Sequence, residues 1–326
     1  MENKKVFTRR ALVLLRAVFM GLLLMAFSTG TYAQNGGRLG TIAILPFSGG
    51  SPDEQEGIAE LFSYTREMMK SFGVIPRTSI TKAVGQEQSF QALSGMTNAD
   101  TIAKLGNQFG ANYVMSGSIT SLGKQNLLIV SIIKIDVIRQ VAGDFLLYDT
   151  LDALNKNEAI LNTMAGKLVD MVRKMSDDLD KLALLPVDFP NGANKHEGDA
   201  LAQLLAIYLL RGGAYAVYPR TQTIEQVQRE YETQLKGGVT RANEAVKAGK
   251  AVNPDYVLSV ISRKIGSTTR FNASIIKLEE NIQIKAGSEQ YANMNDGIIA
   301  MEFLARELSG EKVSEKERAK KRLSKK

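Results

Sequence analysis

The stretch NYVMSGSITSLGKQNLLIVSIIKID, residues 112–136, returns at 255–279 as DYVLSVISRKIGSTTRFNASIIKLE, offset by 143 residues and without a gap. Eight of the 25 positions are identical. Others exchange like for like: Met115 with Leu258, Leu122 with Ile265, Ile135 with Leu278 and Asp136 with Glu279. The same offset lays VIPRTS (74–79) on VYPRTQ (217–222) and Tyr148 on Tyr291. Upstream, ILPF (44–47) faces LLPV (184–187) at an offset of 140, and the two EG pairs at 56–57 and 197–198 differ by 141. Self-similarity at so long a period predicts duplication of a whole domain rather than a short solenoid repeat. The drift in offset places a few inserted residues early in the second copy.

Two copies of about 140 residues suit a chain of 326, since that is an ordinary domain size. The sequence divides into a leader (1–33), a first module (34–175), a short linker (176–182), a second module (183–310) and a basic tail (311–326).

The patterning within one copy is legible. GTIAILPF (40–47) is a short apolar run stopped by proline, a buried strand. The turn-formers SGGSPDEQEG follow. Ile58, Leu61, Phe62, Thr65, Met68, Met69 and Phe72 then recur at helical spacing, predicting one amphipathic helix over 55–71 with both methionines in the core. GVIPR is a second strand, and helices are expected at 79–91 and from Thr97 to the GANYV strand. Strands near 112–121, 126–137 and 141–149 form an antiparallel meander with short turns. A helix bearing Leu161, Met164, Ala165, Leu168, Val172 and Met175 on one face closes the copy. The order β-α-β-α-α-β-β-β-α, written twice, predicts an α/β (mixed α+β) chain of two tandem modules, each a mixed sheet packed with helices.

The charge of +7 is unevenly placed. Five basic residues and one acidic one lie in 1–33, and eight basic and three acidic ones in 311–326. The body between them carries 28 basic and 30 acidic residues, so no nucleic-acid groove is expected. At the N-terminus Lys4, Lys5, Arg9, Arg10 and Arg16 precede the apolar run 17–27, which is too short for a bilayer of about 30 Å. Thr31-Tyr32-Ala33 ends it with small residues, so a secretory signal is expected, with an uncleaved inner-membrane anchor as the alternative. With no cysteine the chain is not a lipoprotein and has no disulfide or thiolate metal site. The expected location is the periplasm.

Catalytic chemistry finds little support. His196 is the one histidine, in a loop, where solvation is the simple reading and a nucleophile–histidine–acid site lacks its partners. Glu197 and Asp199 beside it are too few for a hard cation. No catalytic, cofactor or metal residue is therefore assigned. A carboxylate pair for cleaving wall polysaccharide is set by space, not by sequence spacing, and stays open as a third reading. Gly49-Gly50 lies between a strand end and a helix start, where α/β sheets bind ligands, but a tight turn is the simpler reading. Arg77 and Arg220 belong to the repeated Pro-Arg-Thr. Each either pairs with a nearby carboxylate or carbonyl, or presents its planar guanidinium to a partner.

TIAILPF…EGIAELF, then VIPRTS, then GANYVMSGSIT together resemble the bacterial envelope family that includes the N-terminal domain of TolB, the penicillin-binding-protein activator LpoB and the curli secretion lipoprotein CsgG. The likeness covers 40–175 well and 182–310 through LALLPV, VYPR and NPDYVLS. It implies a non-enzymatic module, without cofactor, that contacts an envelope protein complex. A CsgG-like pore is not expected, because the meander turns are too short to supply membrane-crossing strands. The alternative is a periplasmic small-ligand-binding or sensing protein. The tail is a candidate for peripheral contact with anionic membrane or peptidoglycan.

Overall fold

A computed structural model describes residues 37–80, 106–218 and 254–323, apart from 138, 177, 186, 190–193 and 281. The leader, most of the helices expected between the second and third strands of each half, and Arg220 lie outside the described residues. The folded body begins at Leu39.

Strands β1 (Thr41–Ile44), β2 (Gly73–Val74), β3 (Tyr113–Leu122), β4 (Gln125–Lys134) and β5 (Arg139–Tyr148) come from the N-terminal half. Strands β6 (Asp180–Leu184), β7 (Tyr215–Tyr218), β8 (Tyr256–Ile265), β9 (Thr268–Lys277) and β10 (Ile282–Tyr291) come from the C-terminal half. They join one ten-stranded mixed sheet in the order β10-β9-β8-β6-β7-β5-β4-β3-β1-β2. The order within the first half is therefore that of the second. Register matches as well. Tyr113 faces Lys134 as Tyr256 faces Lys277, and Ile42 faces Tyr113 as Leu182 faces Tyr256. Even the irregularity is shared: a bulge sets Val141 between Gln140 and Ala142 in β5, and Ile284 between Gln283 and Lys285 in β10.

Helix α1 (Pro52–Ser63) starts with a capping box, Ser51 Oγ accepting from the Glu54 amide while the Glu54 side chain accepts from the Ser51 amide, with proline in the first turn. The single helix expected over 55–71 is in fact two. Ser63 Oγ donates to the Ala59 carbonyl at 2.8 Å and Thr65 Oγ1 to the Phe62 carbonyl at 2.9 Å, and the chain restarts as α2 (Arg66–Ser71). Hydroxyls that bond the preceding turn compete with the helix ladder. Met68 is buried there, but Met69 is 46% exposed, against expectation. After α3 (Leu151–Lys156), α4 (Glu158–Lys174) buries Leu161, Met164, Ala165, Leu168 and Val172, the expected stripe. In the second half one unbroken helix, α5 (Lys195–Arg211), stands in place of α1 and α2. Its DALAQLLAIYLL run is rich in alanine and leucine, strong helix formers, and has no serine or threonine. Helices α6 (Met294–Leu308) and α7 (Glu315–Leu323) complete the chain.

The helices fall on opposite sides in the two halves. β7 pairs antiparallel with β5, so the second half is turned over relative to the first. Leu128, Val130 and Ile132 of β4 join the core under α1, α2 and α4. Leu127 and Ile129, on the other face of the same strand, join the core of α5 and α6. The linker expected between modules is thus nearly consumed: β6 already starts at Asp180, and the sheet runs straight through.

Candidate interaction surfaces

The Gly49-Gly50 segment is a turn whose geometry demands glycine. Both residues have left-handed φ, +72° and +67°, and a Cβ on Gly49 would stand 2.2 Å from the Ile119 carbonyl oxygen. The turn delivers Ser51 and Glu54 to the strand ends. There Tyr148 Oη donates to Glu54 Oε1 at 3.0 Å, Asn126 Nδ2 donates to the same oxygen at 3.3 Å, and the Ser51 amide donates to Oε2 at 3.0 Å. The Ser51 amide, above all, holds the Glu54 carboxyl below its ordinary range, with the Tyr148 hydroxyl helping against the opposing effect of burial. Burial, with Glu54 beside it, pushes the Tyr148 phenol upward.

Arg77 is mostly buried. Its guanidinium donates to the Ile44 carbonyl and pairs with Glu56, joining the end of β1 to α1. Burial lowers its pKa. Gly49 and Gly50 thus pack against Ile119 of β3, and the Arg77 guanidinium is engaged at the end of β1. His196 lies in the first turn of α5 rather than in a loop, its amide donating to Asn194 Oδ1 at 3.1 Å. Among the described residues no group of three His, Asp or Glu side chains converges to hold a metal, and no helix is long and apolar enough to cross a membrane.

A cluster that sequence reasoning missed stands where the halves meet. Arg211, at the end of α5, pairs with Asp144 of β5 and donates through Nε to the Gly143 carbonyl at 3.3 Å. Lys167 approaches the same carboxylate at 4.0 Å. Tyr208 meets Phe145 edge-on at 5.6 Å, and the Arg211 guanidinium lies over both rings. Ile207 covers Gly143 so closely that a Cβ there would stand 2.8 Å from it. Backbone pairing across the seam is slight, Gln140 with Val217, so α5 holds the halves together. Its fully buried leucines contribute about 2 kcal/mol each. A cleft of about 270 Å³ between β5 and α4 adjoins the seam, but its carboxylate, Asp144, is already taken by Arg211 and Lys167. The signal for this site was present in the aspartate inside the apolar run VAGDFLLY.

Within the basic tail, Glu315–Leu323 form the helix α7. Arg318 of α7 pairs with Glu289 of β10 and Glu307 of α6, Lys321 with Glu302, and both cations sit over the Phe303 ring. Arg306 pairs with Glu311 and Glu317. Of the tail cations, Arg318 and Lys321 are thus bound to the protein's own carboxylates, while Lys312 and Lys316 are exposed. Elsewhere the large exposed apolar side chains include Tyr64 (66%) and Met69 where α1 and α2 meet, and Ile282 and Ile284 on β10.

The family model of the peptidoglycan-synthase activator LpoB matches residues 62–127, from the end of α1 into β4. Over that segment the chain is LpoB-like. Among solved structures it is similar to lipoprotein GNA1162 from Neisseria meningitidis, at 18% identity and a TM-score of 0.28, over 39% of this chain and 98% of that one. It is similar to the LpoB C-terminal domain from Escherichia coli at 15% identity and a TM-score of 0.27, over 37% and 93%. It is similar to TolB from Acinetobacter baumannii at 13% identity and a TM-score of 0.27, over 42% and 30%. No curated protein matches the chain.

Proposed function

We propose that this chain is an exported, non-catalytic accessory protein of the bacterial cell envelope, made of two copies of an LpoB-like module, which binds and assists an envelope complex such as a wall synthase or a secretion apparatus. The observation that carries the reading is the match of residues 62–127 to the family of peptidoglycan-synthase activators. Equal strand order and register in the two halves support the duplication. The basic and apolar leader supports export to the periplasm, and the absence of cysteine argues against lipid attachment. On this reading Arg77 and the Gly49-Gly50 turn shape the module, and Arg220 is the corresponding position of the second copy.

In-cell crosslinking of the tagged chain, with identification of what is captured, tests the proposal. Recovery of one membrane-embedded synthase or secretion complex is the expected result. Capture of no envelope protein, with the tagged chain exported and folded, would refute it.

A further inference from the structure

The seam between the halves shows how one such half docks on another. The donor side is an edge strand, β7, with its helix α5. The acceptor side is the edge of β5 and the face formed by Leu127, Ile129, Phe145 and Leu147, whose residues join or pack against the α5 core. Because the halves share strand order and register, each has a second end of each kind. These ends have not been treated alike.

At the free acceptor end, the offset of 143 puts Arg270, Asn272, Ser288 and Gln290 where the first half has Leu127, Ile129, Phe145 and Leu147. Arg270 and Gln290 are exposed, and Arg270 Nε donates to Ser288 Oγ at 2.8 Å across the β9–β10 pair. This face has lost the apolar surface on which a donor helix would sit, so a second copy of the chain finds no acceptor there. At the free donor end part of the apolar character is kept. Val74 of β2 matches Val217 of β7, which pairs with Gln140. At the same offset Tyr64 matches Ile207 and is 66% exposed, with Met69 exposed nearby, while Thr65 and Met68, which match Tyr208 and Arg211, are buried within the first half.

We infer that the end of the N-terminal half formed by β2, Tyr64 and Met69 docks on the exposed edge strand of a sheet in another protein, antiparallel to β2, with apolar residues on the partner face beneath Tyr64. This rests on the accessory role proposed above and specifies what the partner must present. Strand addition at a sheet edge is an established recognition mode; as at the seam, where a single backbone pair crosses, side-chain contact beneath Tyr64 and Met69 supplies most of the affinity.

The donor end can be tested without knowing the partner, by restoring an acceptor on the chain itself. In full-length protein, Arg270→Leu, Asn272→Ile, Ser288→Phe and Gln290→Leu recreate the apolar face beside β10. Light scattering over a concentration series should then show mass rising by about twofold or more, the behaviour of a head-to-tail contact that does not close, whereas the unmodified chain shows no rise. Adding Tyr64→Asp and Met69→Asp should abolish the rise. If the fourfold variant does not fold by circular dichroism, Arg270→Leu with Ser288→Phe is read in the same way. A folded acceptor variant that stays monomeric, or a rise that survives the Tyr64 and Met69 changes, overturns the inference. So does oligomerisation of the unmodified chain through β2, which would make a second copy the occupant. A crosslinker at Tyr64 that captures an envelope protein anywhere but on a sheet-edge strand sinks the docking mode while sparing the accessory role. Capture of nothing from any position sinks the accessory role and the docking with it, whereas capture from other positions but none from Tyr64 sinks the docking alone.

Discussion

Arg211 reaches the Asp144 carboxylate across the seam between the two halves, and that carboxylate is almost wholly buried. Removing the cation strands a charge in a poorly solvated place, which is costlier than losing a surface pair. Arg211→Ala is expected to lower stability by about 3 kcal/mol, whereas Arg211→Ala combined with Asp144→Asn recovers part of the loss. Urea unfolding of the two variants measures the difference.

Arg318 does the same for Glu289 at the other end of the molecule, where α7 closes over α6. Arg318→Ala, or deletion of 315–326, should lower the melting temperature markedly. Because exposed pairs such as Arg306–Glu317 also hold the helix, added salt should lower it further in the intact protein than in the deletion variant. Equal salt sensitivity in both would contradict this.

Glu54 gives the stability a pH dependence of known sign. Its carboxyl is held below the unfolded value, so its contribution is complete above about pH 4.3 and is lost as pH falls through the lower, folded pKa. A thermal-melt series from neutral to acid pH should show Glu54→Gln flattening that part of the profile. Tyr148→Phe should do so in part, since its hydroxyl is a lesser cause than the Ser51 amide.

Gly49→Ala should destabilise by about 1–3 kcal/mol, because the alanine must hold a left-handed backbone while its methyl meets the Ile119 carbonyl. Gly110 has φ +62° but open space around its Cβ position, so Gly110→Ala should cost less. Paired chemical denaturation curves rank them.

The meander was legible almost to the residue: strands expected at 112–121, 126–137 and 141–149 are found at Tyr113–Leu122, Gln125–Lys134 and Arg139–Tyr148. Short runs rich in apolar and β-branched residues, bounded by short turns, are the pattern of strands. The break at Tyr64 was not legible, since hydroxyl bonding back to the previous turn leaves the hydrophobic period intact on either side. Nor was the fusion of the two sheets. Leu127 and Ile129 look equally apolar whether a helix of their own half or of the other covers them, and the backbone contact at the seam is slight. What did foreshadow the seam was the contrast between aligned positions, Leu127 against Arg270 and Phe145 against Ser288. Arg77 reads from sequence as a structural tie or a donor to a partner; in the structure it is mostly buried and contacts the Ile44 carbonyl and Glu56.

The reversal of the second half has a geometric result for anything that recognises this molecule. Corresponding patches on the faces of the two halves look out from opposite sides of one sheet. A flat membrane or a single partner surface can meet such a patch on one half alone, while its counterpart faces away, free to engage something else.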